Sequence, residues 1–222
     1  MTSHTTSTSR RSRMHLVAAV AASALLLTGC NAGGDPNTGG TSSAFSSESQ
    51  TVSPSATPTP TSTPAYVPAS ASGRAQNVPV PVLPAEASAK SKEGLEAFAR
   101  HWYASLTYAY ETGDMRPLES ISSPACASCV RVKEVVEGWH SEGRWIAGGR
   151  MVVEGAQTKF LEVAPSEYQV LIQVRQEPLS YYRADKSLDE TTQSKPAIGD
   201  IMIAGYENGV WTAKTVEHLV ND

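Results

Sequence analysis

Hydrophobic and polar positions divide the chain into stretches of different rhythm. From Met14 to Leu27 the run MHLVAAVAASALLL is almost wholly apolar. From Asn31 to Gln76 no apolar period exists. From Val78 onward the pattern becomes regular, first helical and then alternating.

The regular part opens with Val78-Pro79-Val80-Pro81-Val82-Leu83-Pro84, an extended apolar strip expected to pack on the rest of the domain. Leu95, Phe98, Ala99, Trp102, Leu106, Ala109 and Tyr110 then recur on one helical face, which predicts a helix over 91–112 that Gly113 stops. Asp114 is placed to cap a short second helix over 115–122, where Pro117 is tolerable in the first turn. A third helix is expected with Ser123 as N-cap and Pro124 at the first helical position. Val132, Val135, Val136 and Trp139 would form its buried face, and Gly143 its end.

After Gly148-Gly149 the period becomes two. Met151 and Val153 begin a strand that resumes at Phe160, Leu161 and Val163. Tyr168, Val170, Ile172 and Val174 alternate with Gln169, Gln173 and Arg175, the pattern of a sheet with one wet face. Residues 179–192 are weakly patterned, with Asp185-Lys186 placed to turn a hairpin. Strands over 198–206 and 210–219 flank Asn208-Gly209, the dipeptide that a two-residue type I′ turn requires. The expected fold is α+β: three N-terminal helices packed on a curved antiparallel sheet.

The first apolar run ends in Leu27-Thr28-Gly29-Cys30, which matches the lipobox of bacterial lipoproteins. Arg10, Arg11 and Arg13 precede it with no acidic residue, and the run is far shorter than the roughly 20 residues of a membrane span. Residues 1–29 therefore read as a lipoprotein signal peptide. The adjacent Arg10-Arg11 leaves a twin-arginine route open beside the general secretory one. Cys30 is the expected lipidation site, carrying a palmitate-type anchor. Two or three acyl chains hold a protein stably where one does not.

Between Asn31 and Gln76, Ser, Thr and Pro supply 23 of 46 residues. Residues 30–77 read as the lipidated cysteine and a disordered tether, which would reach on the order of 140 Å fully extended. Its composition also permits O-glycosylation. Residues 78–222 are one domain's worth of globular chain. Removing the three leader arginines leaves 15 Lys+Arg against 22 Asp+Glu, a charge near −7 that argues against a nucleic-acid partner.

The K-E-G-L-E-A-F-A-R-H-W-Y segment at 92–103, T-G-D at 112–114, C-A-S-C at 126–129 and the N-G-V-W near the end resemble an actinobacterial family of lipoproteins with a C-terminal domain of unknown function. The element order is similar to the nuclear transport factor 2-like cone, in which a curved sheet wraps the first helix around a pocket. The resemblance implies a cell-envelope location on the extracytoplasmic face of the cell membrane, and no particular activity.

With Cys30 assigned to lipid, Cys126 and Cys129 remain, and an exported pair most often forms a disulfide. Three residues apart in a first helical turn, their Cα atoms fall within disulfide range. Two other chemistries use the same spacing. A helix N-terminus lowers a thiol pKa and suits thiol–disulfide exchange, although here no strand or aromatic precedes the pair. Zinc would need two more ligands from His101, His140 and His218, which lack the spacing. A pocket of the cone type would draw on His101, Trp102, Tyr103 and Tyr108, with Asp114 and His140 as further acid–base candidates.

The reading is a membrane-anchored envelope lipoprotein without catalytic residues or cofactor, binding a small ligand or an envelope protein. Two alternatives stand beside it: an isomerase or dehydratase-like enzyme in the same pocket, and a thiol–disulfide redox protein. A buried Asp or His facing a Tyr would favour the enzyme. A pocket plugged by Trp102, Tyr103 and Trp211 would favour a binding or structural module.

Overall fold

The computed structural model describes residues 64–219, all within one compact unit. The expected signal peptide, Cys30 and the expected tether as far as residue 63 lie outside the described residues.

Helix α1, Lys92–Thr112, is the long element that the spacing predicts. Ser91 caps it by accepting from the Gly94 N–H at 3.0 Å, and Gly113 ends it at φ 79°. Gly94 is required for packing: a Cβ there would meet the Ala89 carbonyl at 2.1 Å.

The architecture beyond α1 corrects the expected fold. There are not three comparable helices on one curved sheet. Helix α2, Arg116–Glu119, is a single turn of 4 residues, and α3, Ala127–His140, has 14. Among the described residues eight strands form two antiparallel sheets. The smaller has the order β1 (Trp145–Gly148), β5 (Leu179–Tyr182), β6 (Leu188–Thr192). The larger has the order β2 (Met151–Gln157), β4 (Glu167–Gln176), β7 (Ile198–Glu207), β8 (Val210–His218), with β3 (Glu162–Ala164) also paired to β4.

The third helix starts late for a visible reason. The Ser123 N–H donates to the Ala213 carbonyl at 2.7 Å, and the Ala213 N–H donates to Ile121 at 2.9 Å. Ser122 thus forms a parallel bridge to β8, so the backbone that would have begun a helix is held by the sheet. Cys126 becomes the N-cap instead of Ser123. The predicted buried face is narrower as well: Val136 is buried, but Val135 is 50% exposed. The proline strip also packs less than expected, with Val82 85% exposed.

The core lies between α1 and the inner face of the larger sheet. Leu95, Phe98, Trp102 and Leu106 meet Val170 and Ile172 of β4, Met202 of β7 and Trp211 of β8. Full burial of each such side chain is worth about 1.5–3 kcal/mol. Trp211 anchors one end, with Tyr206, Tyr168 and Phe98 rings 4.7, 5.7 and 6.3 Å away, and its indole N–H donates to Ala89 at 3.0 Å.

The described fold includes part of the stretch whose composition reads as tether. Val67 pairs with Gln76 and Ser70 with Gly73, forming a short strap. Its Arg74 guanidinium donates to the carbonyls of His140 and Arg144 at 3.0 and 2.7 Å, where the end of α3 presents spare acceptors. The Trp145 indole donates to Ser70 at 2.9 Å. The Tyr66 hydroxyl donates to Glu111; burial and then that carboxylate push its pKa up to about 12.

Candidate functional site

Alternation on β7 sends Asp200, Met202 and Ala204 toward α1. On β8 the inward positions are Trp211 and Ala213, and after a register shift Val216, with the exposed His218 on the same side of the strand at its end. That shift makes Asp200 and His218 direct cross-strand partners. Tyr103, near the middle of α1, reaches the same place from the helix side.

Asp200 is only 2% exposed, and both of its carboxylate oxygens are engaged. Oδ2 accepts from the Tyr103 hydroxyl, and Oδ1 lies 2.5 Å from His218 Nδ1, which as the partner of an acceptor carries the proton. Burial first, then the Asp200 charge and hydrogen bond, push the Tyr103 pKa far above its ordinary range, so Tyr103 stays a donor. His218 sits at the sheet's end with its side chain 73% exposed, and its Nε2 has no partner among the described residues.

These groups form one wall of a pocket of about 320 Å³. Trp102, Leu106, Val132, Met151, Val174 and Val216 make it largely apolar, while Gln176, Thr192, Gln193 and Lys195 add polar groups. Such a volume and such a lining suit a small ligand. Trp211 lies outside the lining, at the aromatic end of the core.

Of the residues singled out in the sequence, Trp102 and Tyr103 reach this pocket, and His101 and Tyr108 do not. His101 is buried against the proline strip, beside a shallow hollow with Val80, Pro81 and Asp114, and burial lowers its pKa. Tyr108 is half-buried farther along α1. Asp114 accepts from the Arg116 backbone at 3.0 Å and side chain at 2.8 and 2.7 Å, and the Arg116 contact holds its carboxyl below the usual range. His140 closes α3 with Nε2 2.9 Å from the Tyr110 carbonyl. Asp200 and His218 as a pair were missed by sequence reasoning. The signal was present in the hairpin, but only to a count that includes the bulge.

Cys126 and Cys129 lie at disulfide distance, with Cα atoms 5.2 Å apart. Both are buried at the start of α3, and Ser128 between them lines the same pocket as Tyr103 and Asp200. Among the described residues no group of three or more His, Cys, Asp or Glu could hold a metal ion.

One long helix laid against an antiparallel sheet, with a pocket between them, defines the class of fold. The chain belongs to the family of unknown function DUF6318, matched over residues 64–217. The match begins with the strap. No curated protein matches the chain.

Similar solved structures include the intermembrane space region of chloroplast protein ARC6, at 8% identity, 59% of this chain, 98% of that one and a TM-score of 0.42. Aln2 from a Streptomyces species is similar at 9% identity, 56% and 89% coverage and a TM-score of 0.37. An uncharacterized protein with a cystatin-like fold from Caulobacter vibrioides is similar at 12% identity, 56% and 87% coverage and a TM-score of 0.33. These likenesses are distant, and no activity passes from them to this chain.

Proposed function

We propose that the domain is the ligand-binding part of a cell-envelope lipoprotein anchored through Cys30, and that its ligand is a small molecule with an apolar body. The pocket of about 320 Å³ between α1, α3 and the sheet carries this reading: apolar walls, and one polar cluster already satisfied within the protein. The lipobox and leader support the anchor. Among the described residues no helix is long and apolar enough to cross a membrane.

The buried Asp200 beside Tyr103 favours a second reading, an acid–base enzyme of the isomerase or dehydratase kind. Binding fits better because the Tyr103 hydroxyl and both Asp200 oxygens are occupied within the protein. That leaves His218 Nε2 as the one free group of the three, whereas paired acid and base work needs two. The cysteine pair supports a clip over a redox centre: exchange needs an accessible sulfur, whereas Cys126 is fully buried and Cys129 is only 7% exposed, at the edge of a small hollow. A loop this short stabilises the fold by about 2 kcal/mol at most.

The test uses N-phenyl-1-naphthylamine, a neutral apolar dye that brightens out of water. Wild-type protein should enhance and blue-shift its emission. Val132→Trp, which fills the pocket from α3, should abolish the signal while the melting temperature stays within a few degrees. Equal signals from the two proteins, or none from wild type, would remove the pocket as a ligand site.

A further inference from the structure

We propose that the pocket selects amphipathic anions, with the apolar body between α1 and the sheet and the anionic head at Lys195. The proposal rests on the ligand-binding reading above and specifies the ligand's charge.

The ionisable acids and bases of the lining, apart from its tyrosines, are Asp200, His218 and Lys195. They are unequal in what they offer a ligand. Asp200 is the lining's one carboxylate, and both oxygens are spent on Tyr103 and His218 behind a surface that is 2% exposed. A cationic head entering the pocket therefore finds no free carboxylate to meet. His218 has its Nδ1–H fixed on Asp200. Lys195 is different: it is exposed on the loop between β6 and β7, and it has no ion-pair partner among the described residues. The neighbouring Gln193 adds a neutral amide donor.

An anionic head thus meets one uncommitted cation and no competing acid. The apolar walls beneath, from Leu106, Val132, Met151 and Val174, accept a chain or ring system but nothing charged. The lining thus joins one exposed cation to apolar side chains, and a ligand with its charge at one end matches both. An exposed pair contributes modestly, so the charge sets selectivity while the apolar body supplies most of the affinity.

The experiment displaces N-phenyl-1-naphthylamine from the full chain with decanoate, decan-1-ol and decylamine, which share one chain and differ in head charge. Decanoate should displace the dye at a concentration at least about threefold below decan-1-ol, with decylamine weakest. Lys195→Gln should bring decanoate level with the alcohol, Lys195→Arg should restore the gap, and Lys195→Glu should place decylamine ahead of decanoate. The alcohol should be unmoved throughout, which separates a charge effect from a folding effect. Equal displacement by all three heads, or a decanoate preference that survives Lys195→Glu, would overturn the anion assignment and leave the pocket reading intact. A dye that never binds wild type takes both down.

Discussion

Asp200 and His218 meet because of one extra residue. Counting back from the Asn208-Gly209 turn, an unbroken ladder pairs Asp200 with Glu217, two carboxylates facing each other. The register shift after Ala204 inserts Lys214 without a partner on β7, and Asp200 then faces His218. A bulge of this kind leaves no mark in a two-residue period until its position is known. Tyr103 was readable as a pocket residue because it lies beside Trp102 on a strongly periodic helix; its partner was not. His140 carries a sharper residue-scale consequence. Its Nε2–H donates to the Tyr110 carbonyl, while Nδ1 is buried with no partner among the described residues. Burial lowers its pKa below the ordinary 6.5, outweighing the Tyr110 hydrogen bond that opposes it, and the nearby Arg74 charge adds to the lowering. The unfolded chain therefore takes up the proton first. The contribution of neutral His140 to stability is complete above pH 6.5 and is lost as pH falls below that value toward the folded pKa. An NMR titration should place His140 below 6.5, and His140→Phe should lose less stability than wild type between pH 7 and 5. A measured value above 6.5 would contradict this burial argument.

At the scale of elements, legibility followed cap and turn chemistry. α1 was readable at both ends because Ser91 and Gly113 are unambiguous stops, and the last hairpin because Asn208 and Gly209 adopt φ of 52° and 82°, as a type I′ turn requires. The second sheet was not readable: β1 and β5 have 4 residues each, too few for a period, and β6 is Leu-Asp-Glu-Thr-Thr, polar and mostly exposed. Sequence alone starts the third helix early because Ser123-Pro124 is a good start signal that the bridge to β8 overrides. The strap was hidden by composition, since its contacts are made by backbone and by isolated side chains rather than by an apolar stripe. Those contacts should matter. A chain beginning at residue 78 loses the Arg74 and Ser70 hydrogen bonds and uncovers the Trp145 indole. At about 1 kcal/mol for each bond, it should melt roughly 5 °C or more below a chain beginning at residue 64. Coincident melts by circular dichroism would mean that the strap rests on the domain without stabilising it.

For the whole molecule, the composition sets what attachment to a membrane requires. Without the proposed leader, residues 1–29, the chain carries 15 basic and 22 acidic residues, so an anionic lipid surface repels it at neutral pH. The domain brings no spanning helix among its described residues. Lipid on Cys30 is then the one proposed device that holds the protein at the envelope, and each buried methylene contributes about 0.8 kcal/mol, so a pair of acyl chains suffices where electrostatics oppose. On the proposed reading, location is an all-or-none property of a single side chain. In cells expressing Cys30→Ala, the protein should leave the detergent phase, appearing as unprocessed precursor or in the medium, and should lack the mass of a diacylglycerol. The domain itself should be unaffected, with the melting temperature and dye binding of the parent chain, because residue 30 lies well before the strap that begins the described fold. Detergent partition and an acyl mass that both persist in Cys30→Ala would show that the anchor is elsewhere, and would withdraw the envelope location from the proposed function while leaving the pocket as it is.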